Sequence, residues 1–198
     1  MSKLRNLLKN EHVRSVIFLA IILGGVIAFW FGLRTYLRTD YPLLAVASGS
    51  MVPTLKVGDL IVVQGGIDGD DIVAEYGSGD IVVFYSPRNP SELIVHRAVS
   101  KSLNGEVWYF RTKGDHNPDP DSWNVPETRI VGKVVWIIPY LGHVSLFVHT
   151  TIGMVLIIGL IVVLVLVEFL FPSTREKEET DQPEAESDVF DSTRETNE

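Results

Sequence analysis

From Val16 to Leu33 the chain runs for eighteen residues without a charge, and from Thr150 or Thr151 to Val167 it does so again. A helix rises about 1.5 Å per residue, so each run nearly crosses a hydrocarbon core of about 30 Å. A helix apolar on every side has no face to offer water, and the modest domain that fits between the runs could hardly bury two of them. Two transmembrane helices are therefore expected, over 16–36 and 146–170. Trp30 falls near the outer end of the first, where an aromatic belt places it. A cleavable leader ending at Ala45-Val46-Ala47 is the competing reading, but the apolar run is too long for one.

The flanking charges assign sides. Lys3, Arg5, Lys9 and Arg14 precede the first run and hold it to the cytoplasm, and Arg175 and Lys177 follow the second. Residues 1–15 and 172–198 are thus expected inside, and 37–143 outside the cell membrane.

Charge elsewhere is uneven. The net charge of −8 comes from the tail, where residues 176–198 hold ten carboxylates against two basic residues. With almost no apolar residues to bury, that tail is expected to be disordered. No basic stretch interleaved with aromatics supports nucleic-acid binding. The chain has no cysteine, which excludes disulfides, thiolate metal sites and a cysteine nucleophile.

Between the spans, β-branched runs of strand length recur at 59–64, 80–85, 93–96, 107–112 and 130–136, each bounded by Gly, Pro, Asn or Asp. The fold class read from this is mainly β: a small antiparallel domain, closed as a barrel or sandwich, flanked by two transmembrane helices. Asp68, Asp70 and Asp71 resemble a calcium loop at a glance, but the stretch lacks the acid at the twelfth position and the flanking helices. It reads as a loop, and no metal or cofactor is expected.

Three segments carry possible chemistry. Ser48-Gly-Ser50 stands shortly after the first span, before a proline-containing turn. A serine hydroxyl needs a base beside it to attack at neutral pH. Of the histidines, His96 ends an apolar strand, His116 lies in a polar loop and His143 adjoins the second apolar run. His96 is the best-placed base. A carboxylate that fixes the imidazole tautomer is available from Asp115, Asp119 or Asp121 in one turn-rich loop. Taken singly, each segment is an ordinary turn or strand end.

Together they resemble type I signal peptidases, specifically the archaeal and endoplasmic-reticulum branch. The matching pieces are Ser48-Gly-Ser-Met-Val-Pro-Thr54, Gly79-Asp-Ile-Val-Val-Phe84, Ile94-Val-His-Arg97 and Lys113-Gly-Asp-His-Asn117 with Asp121. The resemblance covers roughly residues 40–140 and the first span. It implies a membrane-bound serine endopeptidase that cleaves signal peptides from exported preproteins after small residues, through an acyl-enzyme. It implies Ser50 as nucleophile, His96 as general base, Asp121 as the usual acid and Asp115 as a second acid. The Ser50 backbone N–H and the Ser48 hydroxyl are the implied oxyanion donors. The partners implied are signal peptides, the lipid bilayer and the protein-export machinery. His116, Pro118 and Pro120 depart from the family's commonest loop, and at this level the acid facing His96 stays open among Asp115, Asp119 and Asp121.

Two other readings are weighed. A related Ser–Lys self-cleaving protease would use Lys101, Lys113 or Lys133 as base, although such proteins are soluble. A non-enzymatic membrane protein displaying a β domain would reduce the motifs to turns, yet chance turns need not supply nucleophile, base and acid in order.

Overall fold

The computed structural model describes residues 11–170; the basic segment at 1–10 and the acidic tail expected over 172–198 lie outside the described residues. Residues as far as Gly153 form one compact unit, and those from Met154 another. Helix α1, Glu11–Leu37, is long and apolar enough from Ser15 onward to cross a membrane; its apolar side chains over 16–31 are exposed, and only at its end is Leu37 buried. It starts earlier than the apolar run because polar residues at 11–14 extend the helix past the hydrocarbon. At its other end the Gly65 N–H donates to the Leu37 carbonyl (2.8 Å), which ties the helix to the β domain.

Seven antiparallel strands form a single sheet: β1 (Leu43–Ala45), β2 (Leu60–Gln64), β3 (Ile81–Tyr85), β4 (Leu93–Asn104), β5 (Val107–Lys113), β6 (Asn124–Pro126) and β7 (Ile130–Ile138). Their spatial order is β1-β2-β7-β3-β4-β5-β6. The expected closure does not occur; the sheet is an open half-barrel with the three-residue strands β1 and β6 at its edges. Pro126, which has no N–H to give a ladder, sits on such an edge. β4 runs well past the residues expected, through a bulge between Ala98 and Ser100, and turns into β5 through Gly105-Glu106. Gly105 has φ 64°, the backbone that a tight hairpin asks of its first turn residue.

Successive strand residues face opposite sides, so β3, apolar throughout, feeds two cores. Val83 joins Val46, Met51, Leu55, Ile61 and Val63 in one, whereas Val82 and Phe84 join Ile72, Ala98, Phe110 and Val125 in the other. Asp70 and Asp71 of the stretch read as a loop lie in a short 3-10 turn, Gly69–Asp71.

The second apolar run lies within one helix, α3 (Thr151–Leu170), preceded by the short helix α2 (Gly142–Val148), so the stretch expected as one span over 146–170 is broken at His149-Thr150. The break has a local cause: the Thr150 hydroxyl donates to the Phe147 carbonyl (2.7 Å) and accepts from the Gly153 N–H (3.0 Å), closing one helix and capping the next.

β7 is central, and Gly132 within it has no room for a side chain, since a Cβ there would stand 2.2 Å from the Gln64 carbonyl oxygen. Gly132→Ala is expected to destabilise the domain by about 1–3 kcal/mol, read as a lower denaturation midpoint of the detergent-solubilised full chain at unchanged slope.

Candidate active site

The serine turn is built on the first core. Met51 and Leu55 are buried there, and the Leu55 N–H closes a helical turn onto the Met51 carbonyl (2.9 Å), so the backbone that carries Ser50 is pinned from below. The hydroxyls of Ser48 and Ser50 stand 3.4 Å apart. The Ser50 carbonyl accepts the His116 N–H (2.9 Å). A Cβ at Gly114 would stand 2.6 Å from that same oxygen, so glycine is what lets the 114–121 loop close onto the turn.

His96 is built on the second core. It lies on β4 opposite Val82, with its ring edge-on to Phe84 at 6.4 Å between centroids. Its Nδ1 is 2.7 Å from Asp121 Oδ2, and both side chains are buried. The same oxygen accepts the buried Thr112 hydroxyl (2.6 Å), while the Asp121 N–H returns to the Thr112 carbonyl (2.8 Å). A carboxylate only accepts, so this arrangement holds the imidazole proton on Nδ1 and leaves the Nε2 lone pair free. Among the described residues Nε2 has no hydrogen-bond partner, and it is not sealed from solvent. Among the described residues no hydrogen bond joins Ser50 to His96; catalytic hydrogen bonds are often long before substrate is bound.

Asp115, the second acid of the sequence reading, is not beside His96. Its carboxylate takes two bonds from Arg97, from Nε (2.8 Å) and from a terminal nitrogen (2.7 Å), and a third from the Thr54 hydroxyl (2.6 Å). Arg97 also donates to the Gly79 carbonyl (2.7 Å). Burial alone would raise the Asp115 carboxyl, but the Arg97 and Thr54 hydrogen bonds and the charges of Arg97 and Lys113 outweigh it and hold it below the ordinary carboxylate range. Hydrogen bonding to Asp115 likewise raises Arg97. The Asp119 and His116 side chains are exposed. Of the three acids left open, Asp121 is the one that meets His96.

The lysines weighed as bases are occupied otherwise. Lys101 Nζ is engaged by the carbonyls of Gly69, Asp70 and Ile72 at 2.8–3.0 Å, Lys133 lies 3.4 Å from Asp80, and Lys113 stands over the Tyr76 ring. The supporting residues Thr54, Thr112, Gly114 and Arg97 stood inside or beside the quoted motifs without a role, since only the folded partners reveal what each contacts.

A histidine oriented by a buried carboxylate on one nitrogen and bare on the other is what a serine peptidase requires, and here the domain that bears it hangs from a membrane span. Residues 10–102 match the family described as "Signal peptidase, peptidase S26". The signal peptidase complex catalytic subunit SEC11 of Fusarium vanettenii is 32% identical over 156 residues, covering 73% of this chain and 88% of that protein. Its counterpart in Colletotrichum graminicola is 33% identical with the same coverage, and that of Chaetomium globosum is 30% identical over 175 residues, 83% of this chain and 98% of that one. The chain belongs to the signal peptidase family, peptidase S26, and is a serine peptidase that cleaves signal peptides.

The clamp on Asp115 makes a pH-dependent prediction. Because its carboxyl is depressed in the folded protein, the stability it contributes is present above the unfolded value, about 3.9, and is lost only as pH falls through the lower folded one. Asp115→Asn is expected to cost about 1–3 kcal/mol at neutral pH, with the gap to wild type closing only below about pH 4. Denaturation midpoints of both proteins between neutral and acid pH check this.

Proposed function

We propose that Ser50 is the nucleophile, His96 the general base and Asp121 the residue that orients it, in an acyl-enzyme mechanism that releases signal peptides after small side chains. The observation that carries this reading is the buried His96–Asp121 hydrogen bond, which leaves Nε2 as the available acceptor. In the first half-reaction Ser50 Oγ attacks the scissile carbonyl carbon while its proton passes to His96 Nε2. Nε2 then gives that proton to the leaving amine, the new N-terminus of the mature protein, as the C–N bond breaks. Water, deprotonated by the same nitrogen, cleaves the ester and frees the signal peptide's carboxylate and the Ser50 hydroxyl. The tetrahedral oxyanion is met by the Ser50 backbone N–H, with the Ser48 hydroxyl as second donor, in keeping with its 3.4 Å separation from Ser50 Oγ.

Asp115 acts as a positioning residue in this scheme. Through Thr54 it grips the turn that begins at Ser50, and through Arg97 it grips the strand position next to His96. It holds the turn of the nucleophile and the strand of the base together without taking part in the proton transfers.

The topology proposed is two spans, α1 and the run that ends in α3, with 37–143 outside the cell membrane and both termini in the cytoplasm. The relatives are catalytic subunits of a signal peptidase complex, and association with other export components is proposed for this chain too.

Cleavage of a preprotein by the detergent-solubilised full chain is the test. Ser50→Ala and His96→Ala should each lower kcat by about 10⁴-fold or more, and Asp121→Asn by about 10⁴-fold. Ser48→Ala should cost about 10²- to 10³-fold. Normal turnover by Ser50→Ala would end the proposal. For topology, the chain has no cysteine, so single cysteines report cleanly. Glu106→Cys in the β4–β5 hairpin should react with an impermeant maleimide on intact cells, and Ser192→Cys only after lysis.

A further inference from the structure

Beside the serine turn lies an open cavity of about 290 Å³, walled by Pro53, Thr54, Tyr76, Arg97, Lys113 and Asp115, among others. Its floor is already neutralised. Asp115 and Arg97 are bound to one another through two hydrogen bonds, and their charges cancel. Lys113 is different. Among the described residues no carboxylate lies within ion-pair distance of its ammonium, which stands 5.5 Å from the centre of the Tyr76 ring. The cavity therefore carries one uncompensated positive charge, set against an aromatic wall that strengthens its hold on a cation without neutralising it.

The position of this charge relative to the chemistry is set by covalent connection. Pro53 and Thr54 follow Ser50 on the same pinned turn, and Lys113 immediately precedes Gly114, whose backbone lies against the Ser50 carbonyl. Two walls of the cavity are thus carried by the segments that meet at the Ser50 carbonyl.

We propose that the cavity is a specificity subsite in which Lys113 receives a carboxylate side chain of the preprotein close to the scissile bond, an inference that rests on Ser50 being the nucleophile. The Lys113 ammonium is the pairing group, so a glutamate or aspartate is favoured over its amide and a lysine is rejected.

The experiment uses matched preproteins bearing Glu, Gln or Lys in turn at each position near the cleavage site, cleaved by the full chain in detergent. Wild type should prefer Glu over Gln at one position by roughly three- to tenfold in kcat/KM, carried mainly by KM, as a partly exposed ion pair allows. The preference should shrink at about 0.5 M salt through screening. Lys113→Arg should keep it, Lys113→Gln should level it, and Lys113→Glu should transfer it to the lysine-bearing substrate. A Glu-to-Gln ratio unchanged in Lys113→Glu, or no preference at any position in wild type, overturns the proposal. So does loss of all cleavage in both Lys113→Gln and Lys113→Arg, which would make Lys113 part of the reaction itself. Cleavage surviving in Ser50→Ala sinks the nucleophile assignment instead and is read from a different variant.

Discussion

The loop from Gly114 to Asp121 is the interaction on which the site depends. Ser50 is seated on one core and His96 on the other, so the sheet by itself does not bring them into register. The loop touches both. Near its start the His116 N–H binds the Ser50 carbonyl, and at its end Asp121 binds His96 Nδ1. Because the two contacts are made by one short segment pinned at its root by the Asp121–Thr112 backbone bond, Ser50 and His96, the proposed nucleophile and base, are positioned by the same piece of chain. The stiffness of Pro118 and Pro120 suits that task, since each removes a soft backbone torsion from the stretch between the contacts.

The architecture around the loop follows from the need to keep these anchors fixed. Met51 and Leu55 fill the first core directly beneath the serine turn, and Phe84 of the second core backs the imidazole. The span α1 joins this frame through a single close backbone contact, Gly65 to Leu37, and the ion pair of Arg34 with Asp40 lies at the same junction. The β domain is thereby attached to the end of the span at a defined point.

Much of this was legible in the sequence, and the limits have physical causes. The strands β2, β3, β5 and β7 were readable as runs of β-branched and aromatic residues bounded by turn residues. β1 and β6 were not, being three-residue segments that become strands only by pairing with neighbours, and β4 beyond His96 alternates exposed Ser and Lys that resemble loop. The break at His149-Thr150 falls where the apolar run begins, and the capping by the Thr150 hydroxyl that makes it is a matter of geometry and not of composition. In the site, residue type and order marked Ser50 and His96. The choice among Asp115, Asp119 and Asp121 was not readable, because three acids within seven residues of one turn-rich loop differ only in the direction each side chain takes.

That choice separates two carboxylates of similar chemistry by the partner each was given. Asp115 faces a guanidinium, which stays charged throughout any accessible pH and so cannot exchange a proton with a reacting group. The pair is a fixed brace, and its depressed carboxyl expresses how firmly the ionised form is held. Asp121 faces an imidazole, the one common side chain that takes up and gives back a proton near neutrality. In the proposed mechanism a buried carboxylate behind such a ring stabilises the cation formed when Nε2 takes the serine proton, and Thr112 keeps the carboxylate oriented toward it. The same residue type thus serves as scaffold or as participant according to whether its partner's charge is permanent or made during the reaction, and here only Asp121 has a partner of the second kind.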